Sequence, residues 1–228
     1  MKTFFTLLFA AGCLTFTLTA QTAGTLDPTF NGDGMLATKI NNLNTAFFRV
    51  RVQPDNKSLA FGYLEQSQFY HRALVARYME DGSPDPTFGT AGVIIFDNMN
   101  AAGFDGHILS DGKILVTVLD LENHAIKLVR LHTDGALDTD FGINGVATLE
   151  FGLYITTIDK SILMLPDNKI LVLGAHIDFG SSVLSKHFVA RINADGTPDL
   201  SYGTGGLVIV SEQPNTPDID IKGGGLQP

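Results

Sequence analysis

The chain has 228 residues, a formal net charge of −9 and one cysteine. This acidic balance argues against nucleic acids and anionic membranes as partners, because phosphate binding needs a basic stripe and the Lys and Arg residues here are scattered singly. With one cysteine no intrachain disulfide can form, so the stability of the fold has to come from packing.

The first twenty residues have the pattern of an export signal. Lys2 supplies a positive start, an almost uninterrupted apolar stretch runs from Phe4 to Phe16, and the small residues Thr19 and Ala20 precede a cleavage point before Gln21. The stretch is too short for a comfortable transmembrane helix. We therefore predict a signal peptide over residues 1–20 and a mature chain that is exported and has no transmembrane segment.

A second processing signal overlaps this segment. Ala10-Ala11-Gly12-Cys13 is similar to the box that precedes a lipidated cysteine, although the residue three before Cys13 is Ala rather than the usual Leu. Lipoprotein anchoring at Cys13 is thus the less favoured alternative. Both routes predict a protein that is secreted or held in the cell envelope.

One short motif, Asp-x-x-aromatic, recurs along the rest of the chain. Its four copies are Asp27-Pro28-Thr29-Phe30, Asp85-Pro86-Thr87-Phe88, Asp138-Thr139-Asp140-Phe141 and Asp199-Leu200-Ser201-Tyr202. They are spaced 58, 53 and 61 residues apart. A period of this length predicts a repeat protein in which each unit covers its apolar face with the next unit.

Each repeat contains the same series of predicted strands. The strand that follows the motif is a short apolar run opened by glycine, and we interpret it as the leading strand of a unit: Gly34–Thr38, Gly92–Phe96, Gly145–Leu149 and Gly206–Val210. The second strand ends at a polar turn: Phe48–Gln53, Phe104–Leu109 and Lys160–Leu165. The turns, Pro54–Lys57, Ser110–Lys113 and Pro166–Lys169, lie 56 residues apart, and Asp followed by Asn or Gly favours the positive φ of a tight hairpin.

Two further strands complete each unit. The third is apolar throughout, which predicts burial on both faces: Ser58–Phe61, Ile114–Val118 and Ile170–Leu173. The fourth alternates around a basic residue: Ala73–Tyr78, Ile126–Leu131 and Phe188–Ile192. Four short antiparallel strands with polar turns are the specification of a propeller blade.

The predicted fold is therefore all-β, a propeller-like array of four-stranded antiparallel blades with three full units and partial ends. We assign it to residues 21–211 and predict a flexible tail over residues 212–228, because that segment is rich in Pro and Gly. Propellers typically have four to eight blades. Three outcomes therefore remain open: an open arc, a ring assembled from two or more chains, and a fragment of a longer product.

The repeat resembles the bacterial delta-60 repeat, a β-propeller-like family of unknown function. The resemblance is carried by D-G-x-x-D-x-x-F-G-x-x-G at Asp81–Gly92, Asp134–Gly145 and, with Tyr for Phe, Asp195–Gly206, and by P-D-G/N-K-I-L-V-like phrases from Pro54, Ser110 and Pro166. It covers nearly all of residues 24–211. The resemblance implies a propeller fold and an exported, surface-exposed protein, and it implies no activity.

The recurring residues have both a functional and a structural interpretation. The motif aspartates are carboxylates of the kind that binds calcium, but only Asp138-Thr139-Asp140 hints at the required spacing, and we favour aspartates that cap their own turns. The motif aromatics would suit a ligand cage or a wedge between blades, and we favour the wedge. Arg77, Arg130 and Arg191 would suit an anion channel or ion pairs with the repeated aspartates, and we favour the ion pairs.

Residues that break the repeat are better functional candidates, and few of them point to chemistry. The six histidines lack the spacing of a zinc site, and the chain has no G-x-S-x-G elbow, no P-loop and, once the signal is removed, no thiol. We therefore predict no catalytic residues, no metal and no cofactor.

The connection before the fourth strand varies most between units, and recognition is usually carried by loops on a rigid scaffold. Binding candidates there are Tyr63, Glu65, Phe69, Tyr70, Asp120, Glu122, His176, Asp178 and Phe179. The prediction is a non-enzymatic exported module for surface interaction, adhesion or assembly, with self-association or a protein or glycan partner. The alternatives are a propeller-fold hydrolase or lyase with a site at one blade end, and a structural fragment of a larger propeller.

Overall fold

The computed structural model of the protein describes residues 24–68, 70–97, 100–150, 154–178 and 184–210. The predicted signal peptide and C-terminal tail lie outside these residues. Every regular element within the described ranges is a β-strand. No helix that is long and apolar enough to cross a membrane occurs in this part of the chain.

In the described residues, twelve strands form three antiparallel sheets, which we call blades 1 to 3. Blade 1 consists of β1 (Asn44–Val52), β2 (Ser58–Ser67), β3 (Tyr70–Tyr78) and β4 (Val93–Ile95). Blade 2 consists of β5 (Ala101–Ile108), β6 (Ile114–Asp120), β7 (Ala125–Leu131) and β8 (Val146–Leu149). Blade 3 consists of β9 (Tyr154–Met164), β10 (Ile170–Asp178), β11 (Leu184–Ile192) and β12 (Leu207–Val210). The predicted all-β fold, a propeller-like array of four-stranded antiparallel blades, is confirmed, and the three described blades form an arc.

The strand order within a blade differs from the prediction. The glycine-opened run closes the blade that precedes it: β4 pairs with β3, with Val75 opposite Ile94, and β12 pairs with β11. The cause is the Asp-x-x-aromatic motif, which turns the chain back so that Gly92 O accepts a hydrogen bond from Arg77 N at 2.8 Å. The predicted leading strand at Met35–Thr38 is not a strand, and Gly206–Val210 does not open a fourth unit.

The turns between the first two strands of each blade are as predicted. Their third residues have positive φ, 65° at Asn56, 82° at Gly112 and 63° at Asn168. Each turn is closed by a backbone hydrogen bond, for example from Gln53 N to Lys57 O at 2.7 Å. These turns and the Asp-x-x-aromatic motifs share one end of the blades, which we call the motif end. The hairpins between the second and third strands lie at the other end, the hairpin end.

The second strand of blade 2, β6, is apolar on both faces because blade 2 lies between blades 1 and 3. In β6 every residue is buried. Ile114, Val116 and Val118 pack against blade 1, whereas Leu115 and Leu119 pack against blade 3. Side chains alternate between the two faces of a strand, so consecutive apolar residues serve two different interfaces.

The first strand of a blade makes most of the contacts with the blade before it: β5 lies against β1, β2 and β3, and β9 lies against β5, β6 and β7. Each first strand carries a register shift, at Phe47/Arg49 in β1 and at Gly103/Asp105 in β5, as expected where a strand bends at a β-bulge. At Gly106 a Cβ atom would come within 2.0 Å of the Phe61 ring of blade 1. Only glycine therefore allows β5 to approach blade 1 this closely.

Residues 24–43 form a partial unit ahead of blade 1. Phe30 N donates to Asp27 O at 3.1 Å and Gly34 N to Phe30 O at 2.7 Å, the same backbone bonds as in the complete motifs. Asn31 N donates to Asp81 O of blade 1 at 2.8 Å. Leu36, Ile40 and Leu43 lie over the outer face of blade 1. The segment thus sits where the end of a preceding blade would sit.

Replacing Phe88 with Ala should lower the free energy of unfolding by about 3–5 kcal/mol, because truncating a buried Phe removes its contacts and leaves a cavity. Phe88 is fully buried beside Gly135 of blade 2. Phe30→Ala is the matched control: Phe30 is half-buried in the same motif position, so its loss should cost clearly less. Urea unfolding measures both, and equal losses would show that the motif aromatic does not act as a wedge between blades.

Candidate functional site

A cluster of charged side chains recurs at the motif end of every blade. In blade 1, Asp85 is buried and its Oδ2 accepts a hydrogen bond from Arg77 Nε at 2.8 Å, while Lys57 Nζ lies 3.1 Å from the same oxygen. Its other oxygen, Oδ1, accepts from Thr87 N at 2.9 Å and from the Thr87 hydroxyl at 2.7 Å. The third strand, the hairpin turn and the motif are thereby joined at one carboxylate.

Blades 2 and 3 repeat this arrangement. Asp138 Oδ2 is 2.6 Å from Arg130 Nε and 2.8 Å from Lys113 Nζ. In blade 3 the corresponding distances to Asp199 Oδ2 are 2.6 Å from Arg191 Nε and 2.9 Å from Lys169 Nζ. The sequence interpretation of the arginines as partners of the repeated aspartates, and of the aspartates as turn caps, is confirmed.

The same arginines also contact the motif aromatics, and two of them join one blade to the next. Each guanidinium lies over the aromatic ring of its own motif, with Cζ to centroid distances of 4.4 Å for Phe88, 4.6 Å for Phe141 and 4.5 Å for Tyr202. Arg130 Nη1 donates to Ala194 O of blade 3 at 2.8 Å, and Arg77 Nη1 donates in the same way to Thr133 O of blade 2. One side chain thus serves the ion pair, the ring contact and the blade interface.

The clusters hold their aspartates ionised. For Asp138, burial opposes ionisation, but hydrogen bonds from Lys113 and Arg130 and the charge of Arg130 outweigh it and lower the pKa to about 2. Burial opposes ionisation of Asp85 as well, and the bonds from Thr87 and Lys57 keep its pKa far below the ordinary range. At Asp199 the Ser201 hydroxyl, followed by Lys169, lowers the pKa.

The binding candidates of blade 1 lie together at the hairpin end. The ring of Tyr63 is 5.5 Å from that of Phe48, tilted by 44°, and 4.6 Å from that of His71, edge to face. Glu65 pairs across the hairpin with His71, and its Oε2 accepts from Asn44 Nδ2 at 3.2 Å. Tyr70, at the start of β3, is partly exposed in the same hairpin. We call Phe48, Tyr63 and His71 the aromatic cluster.

The candidates of blades 2 and 3 do not extend this group. Asp120 is 1% exposed, against the expectation of an exposed loop residue. Its Oδ1 caps the hairpin by accepting from the backbone N–H groups of Glu122 and Asn123, and its Oδ2 lies 2.7 Å from Lys127 Nζ. His176 and Asp178 fall within β10, and Phe69 and Phe179 lie outside the described residues.

Two polar residues that the sequence analysis did not select lie at the junction of blades 1 and 2. Asp105 is 2% exposed, and its Oδ1 is 2.6 Å from Arg51 Nη2 of the neighbouring blade. Burial raises the pKa of Asp105, partly offset by the Gly106 N–H. Gln53 lines the groove between the two blades with a buried Oε1 that has no hydrogen-bond partner in the described structure. The sequence signal for Asp105 and Gln53 was that each is a polar residue within a predicted strand and that the other repeats have a different residue at the same position.

A metal site would need several carboxylate, imidazole or thiolate ligands to converge on one point. Among the described residues no three His, Cys, Asp or Glu side chains converge in a way that would hold an ion. Asp85, Asp138 and Asp199 instead each pair with one Arg and one Lys.

The comparison with known families agrees with this architecture. The family model of a β-propeller domain of unknown function, DUF5122, matches residues 53–88, 109–141 and 165–202. The chain carries β-propeller repeats. Each match runs from the first hairpin turn of a blade to the Asp-x-x-aromatic motif, so the propeller repeat and the ion cluster cover the same residues.

No curated protein matches the chain. A solved structure of a GH43 β-1,3-galactosidase is similar at 15% identity and a TM-score of 0.42, and the match covers 64% of this chain and 30% of that one. The chain therefore spans less than a third of the length of that enzyme.

Replacing Asp138 with Asn should lower the free energy of unfolding at pH 7 by about 2 kcal/mol, because charge-assisted hydrogen bonds from Arg130 and Lys113 are lost. The folded-state pKa is depressed from 3.8 to about 2, so this stabilisation is complete above pH 4 and disappears as the pH falls toward 2.

Urea unfolding of both proteins between pH 7 and pH 2.5 measures the effect. The exposed neighbour Asp140 serves as control, and Asp140→Asn should change stability little at any pH. A difference between Asp138→Asn and the parent protein that stayed constant down to pH 2.5 would contradict the assignment of the charged cluster as the cause.

Proposed function

We propose that the protein is an exported, non-enzymatic β-propeller module that makes contacts at the cell surface through the hairpin end of its blades. Export follows from the pattern of residues 1–20, and the resemblance to the delta-60 repeat supports a surface location. The observation that carries the interaction role is the aromatic cluster on the hairpin end of blade 1.

The repeated ionisable groups do not suit acid–base catalysis. A general acid or base works best with a pKa near the working pH. Asp85, Asp138 and Asp199 have lowered pKa values and each is bound by one Arg and one Lys. They are therefore held as permanent anions whose lone pairs are already engaged. This supports a structural use of the charges and leaves recognition to the hairpin end.

The aromatic cluster has the properties of a recognition surface. Phe48 is 42% exposed, and Tyr63 and His71 are partly exposed beside it. All three are carried by paired strands, so the rings are pre-positioned and little side-chain freedom is lost on binding. Glu65 adds a hydrogen-bonding carboxylate next to the rings. Flat apolar surfaces with a few polar groups suit a sugar ring, and we propose a surface glycan as the partner.

Tyr63→Ala should weaken glycan binding by about tenfold or more, since an aromatic anchor in a binding surface is typically worth above 1 kcal/mol. Binding is measured on an array of bacterial and host glycans, followed by titration of the best ligand. Ile143→Ala is the control, because Ile143 is 81% exposed at the motif end, away from the cluster.

Incubation of the same glycans with the protein, followed by product analysis, tests the enzymatic alternative. Release of sugars would overturn the non-enzymatic assignment. A protein that binds no glycan but retains a defined envelope protein through Tyr63 would keep the interaction role and change the partner. Equal binding by Tyr63→Ala and the parent protein would overturn the role of the aromatic cluster.

A further inference from the structure

The two ends of the arc carry apolar faces that correspond to faces buried between blades. In blade 2, the face toward blade 3 is formed by side chains that are at most 4% exposed, including Leu115, Leu128, Ala147 and Leu149. The corresponding residues of blade 3 are Leu171, Val189, Val208 and Val210. Val208 and Val210 are 37% and 38% exposed. Blade 3 thus presents an interface that is built for a further blade.

The opposite end has the complementary face. Gly106 and Ile108 of β5 lie on the side of blade 2 that faces blade 1. Val50 and Val52 hold the same positions in β1, where they are 57% and 66% exposed. Neighbouring apolar residues of blade 1 are covered by Leu36, Ile40 and Leu43 of the partial unit. The head of the arc is therefore covered only in part.

The polar contacts between blades predict which atoms would meet. At the two internal junctions, the residue after the motif aromatic donates its N–H to an Asp carbonyl of the next blade: Gly89 N to Asp134 O at 2.9 Å and Gly142 N to Asp195 O at 2.8 Å. In blade 3 the residue after the motif aromatic is Gly203. Arg191 corresponds to Arg77 and Arg130, whose guanidinium groups donate to a carbonyl of the next blade. The matching acceptors at the head of the arc are Asp81 O and Glu80 O, and Asp81 O is held by Asn31 N.

The partial unit fills this place less completely than a blade does. Asp27 is exposed, whereas Asp85 and Asp138 are each 1% exposed. Asp27 caps Thr29, but no Arg or Lys forms an ion pair with it among the described residues. Phe30 is half-buried, whereas Phe88 and Phe141 are fully buried. The segment thus docks with the motif alone, without the charged cluster and the sheet that a blade supplies.

We propose that the outer face of blade 3 binds blade 1 of a second copy of this chain, so that two copies close one ring. Two arcs of three blades give six blades, within the usual range of four to eight. The contact is head to tail and occurs twice around a two-fold axis, which closes the assembly. Residues 27–43 leave the outer face of blade 1, where Phe30 lies against Gly82 and where Leu36, Ile40 and Leu43 cover the sheet. The outer face of blade 3 of the partner, with its Tyr202 motif, takes their place there.

The partner in this inference is a second copy of the chain. The inference rests on the proposed function in one respect, namely that the protein makes contacts rather than catalysing a reaction. The observation that carries it is different, namely the continuity of the exposed end faces with the interfaces inside the arc. Glycan binding at the hairpin end can therefore be disproved without disproving closure of the ring, and the reverse is also true.

The test is the molar mass in solution, measured by light scattering and sedimentation over a hundredfold range of protein concentration. The parent protein should form a discrete dimer. Val208→Glu places a charge on the outer face of blade 3 and should weaken the dimer at least tenfold. Ile209→Glu is the matched control: Ile209 is 40% exposed on the adjacent position, but it pairs with Phe188 on the opposite face of the sheet, so the dimer should persist.

Phe30→Ala tests the displacement of the partial unit. Loosening residues 27–34 should favour the dimer, because the Gly82 turn becomes easier to reach. Tyr63→Ala should leave the mass unchanged, which separates ring closure from glycan binding. A monomer at every concentration, open-ended polymers, or equal effects of Val208→Glu and Ile209→Glu would each overturn the proposal.

Discussion

The interaction on which the rest of the structure depends is the carboxylate shared by an arginine and a lysine at the motif end of each blade. Asp138 illustrates it: Arg130 comes from the third strand, Lys113 from the hairpin turn, and the carboxylate from the motif that turns the chain back toward the fourth strand. Breaking such a buried cluster is costly, because the remaining charges lose their partners in a place that water reaches poorly. The cluster fixes the position of the motif aromatic, and the aromatic fixes the distance to the next blade.

The charged clusters lie at the motif end of the blades, and the proposed recognition surface lies at the hairpin end. The motif end is occupied by groups that already bind one another, both within a blade and across to the next through Arg77 and Arg130. The hairpin end is free of this constraint, and its residues differ from blade to blade. In blade 1 it carries the aromatic cluster, whereas in blade 2 Asp120 turns inward to cap the hairpin. The proposed recognition surface therefore lies on the hairpin of blade 1 and has no counterpart on the hairpin of blade 2.

A second kind of exposed surface lies at the two ends of the arc, where a blade has an apolar face with no further described blade stacked on it. The middle blade buries both faces of β6, whereas each end blade is also apolar but, among the described residues, stacks on one blade. The partial unit at residues 24–43 reduces this exposure at one end through Leu36, Ile40 and Leu43. Exposed sheet faces of this kind favour association. The ends of the arc and the hairpin of blade 1 are thus the surfaces at which we propose that the protein meets another molecule.

The sequence by itself determined the features that depend on neighbouring residues: the strands, the turns with positive φ at Asn56, Gly112 and Asn168, the capping by Asp85, and the period of the repeat. It also indicated the pairing of the arginines with the aspartates, because both recur at a constant separation of eight residues. Only the tertiary structure decided which four strands share a sheet. The strands recur in the same order along the chain, so the sequence alone does not show at which strand a blade begins. The hydrogen bonds between strands settle this. The tertiary structure likewise decided that Asp120 is buried, that Asp105 meets Arg51 across a blade junction, and that Phe48, Tyr63 and His71 form one cluster. These outcomes depend on the register of the strands and on how the sheets pack, which the residue types alone do not determine.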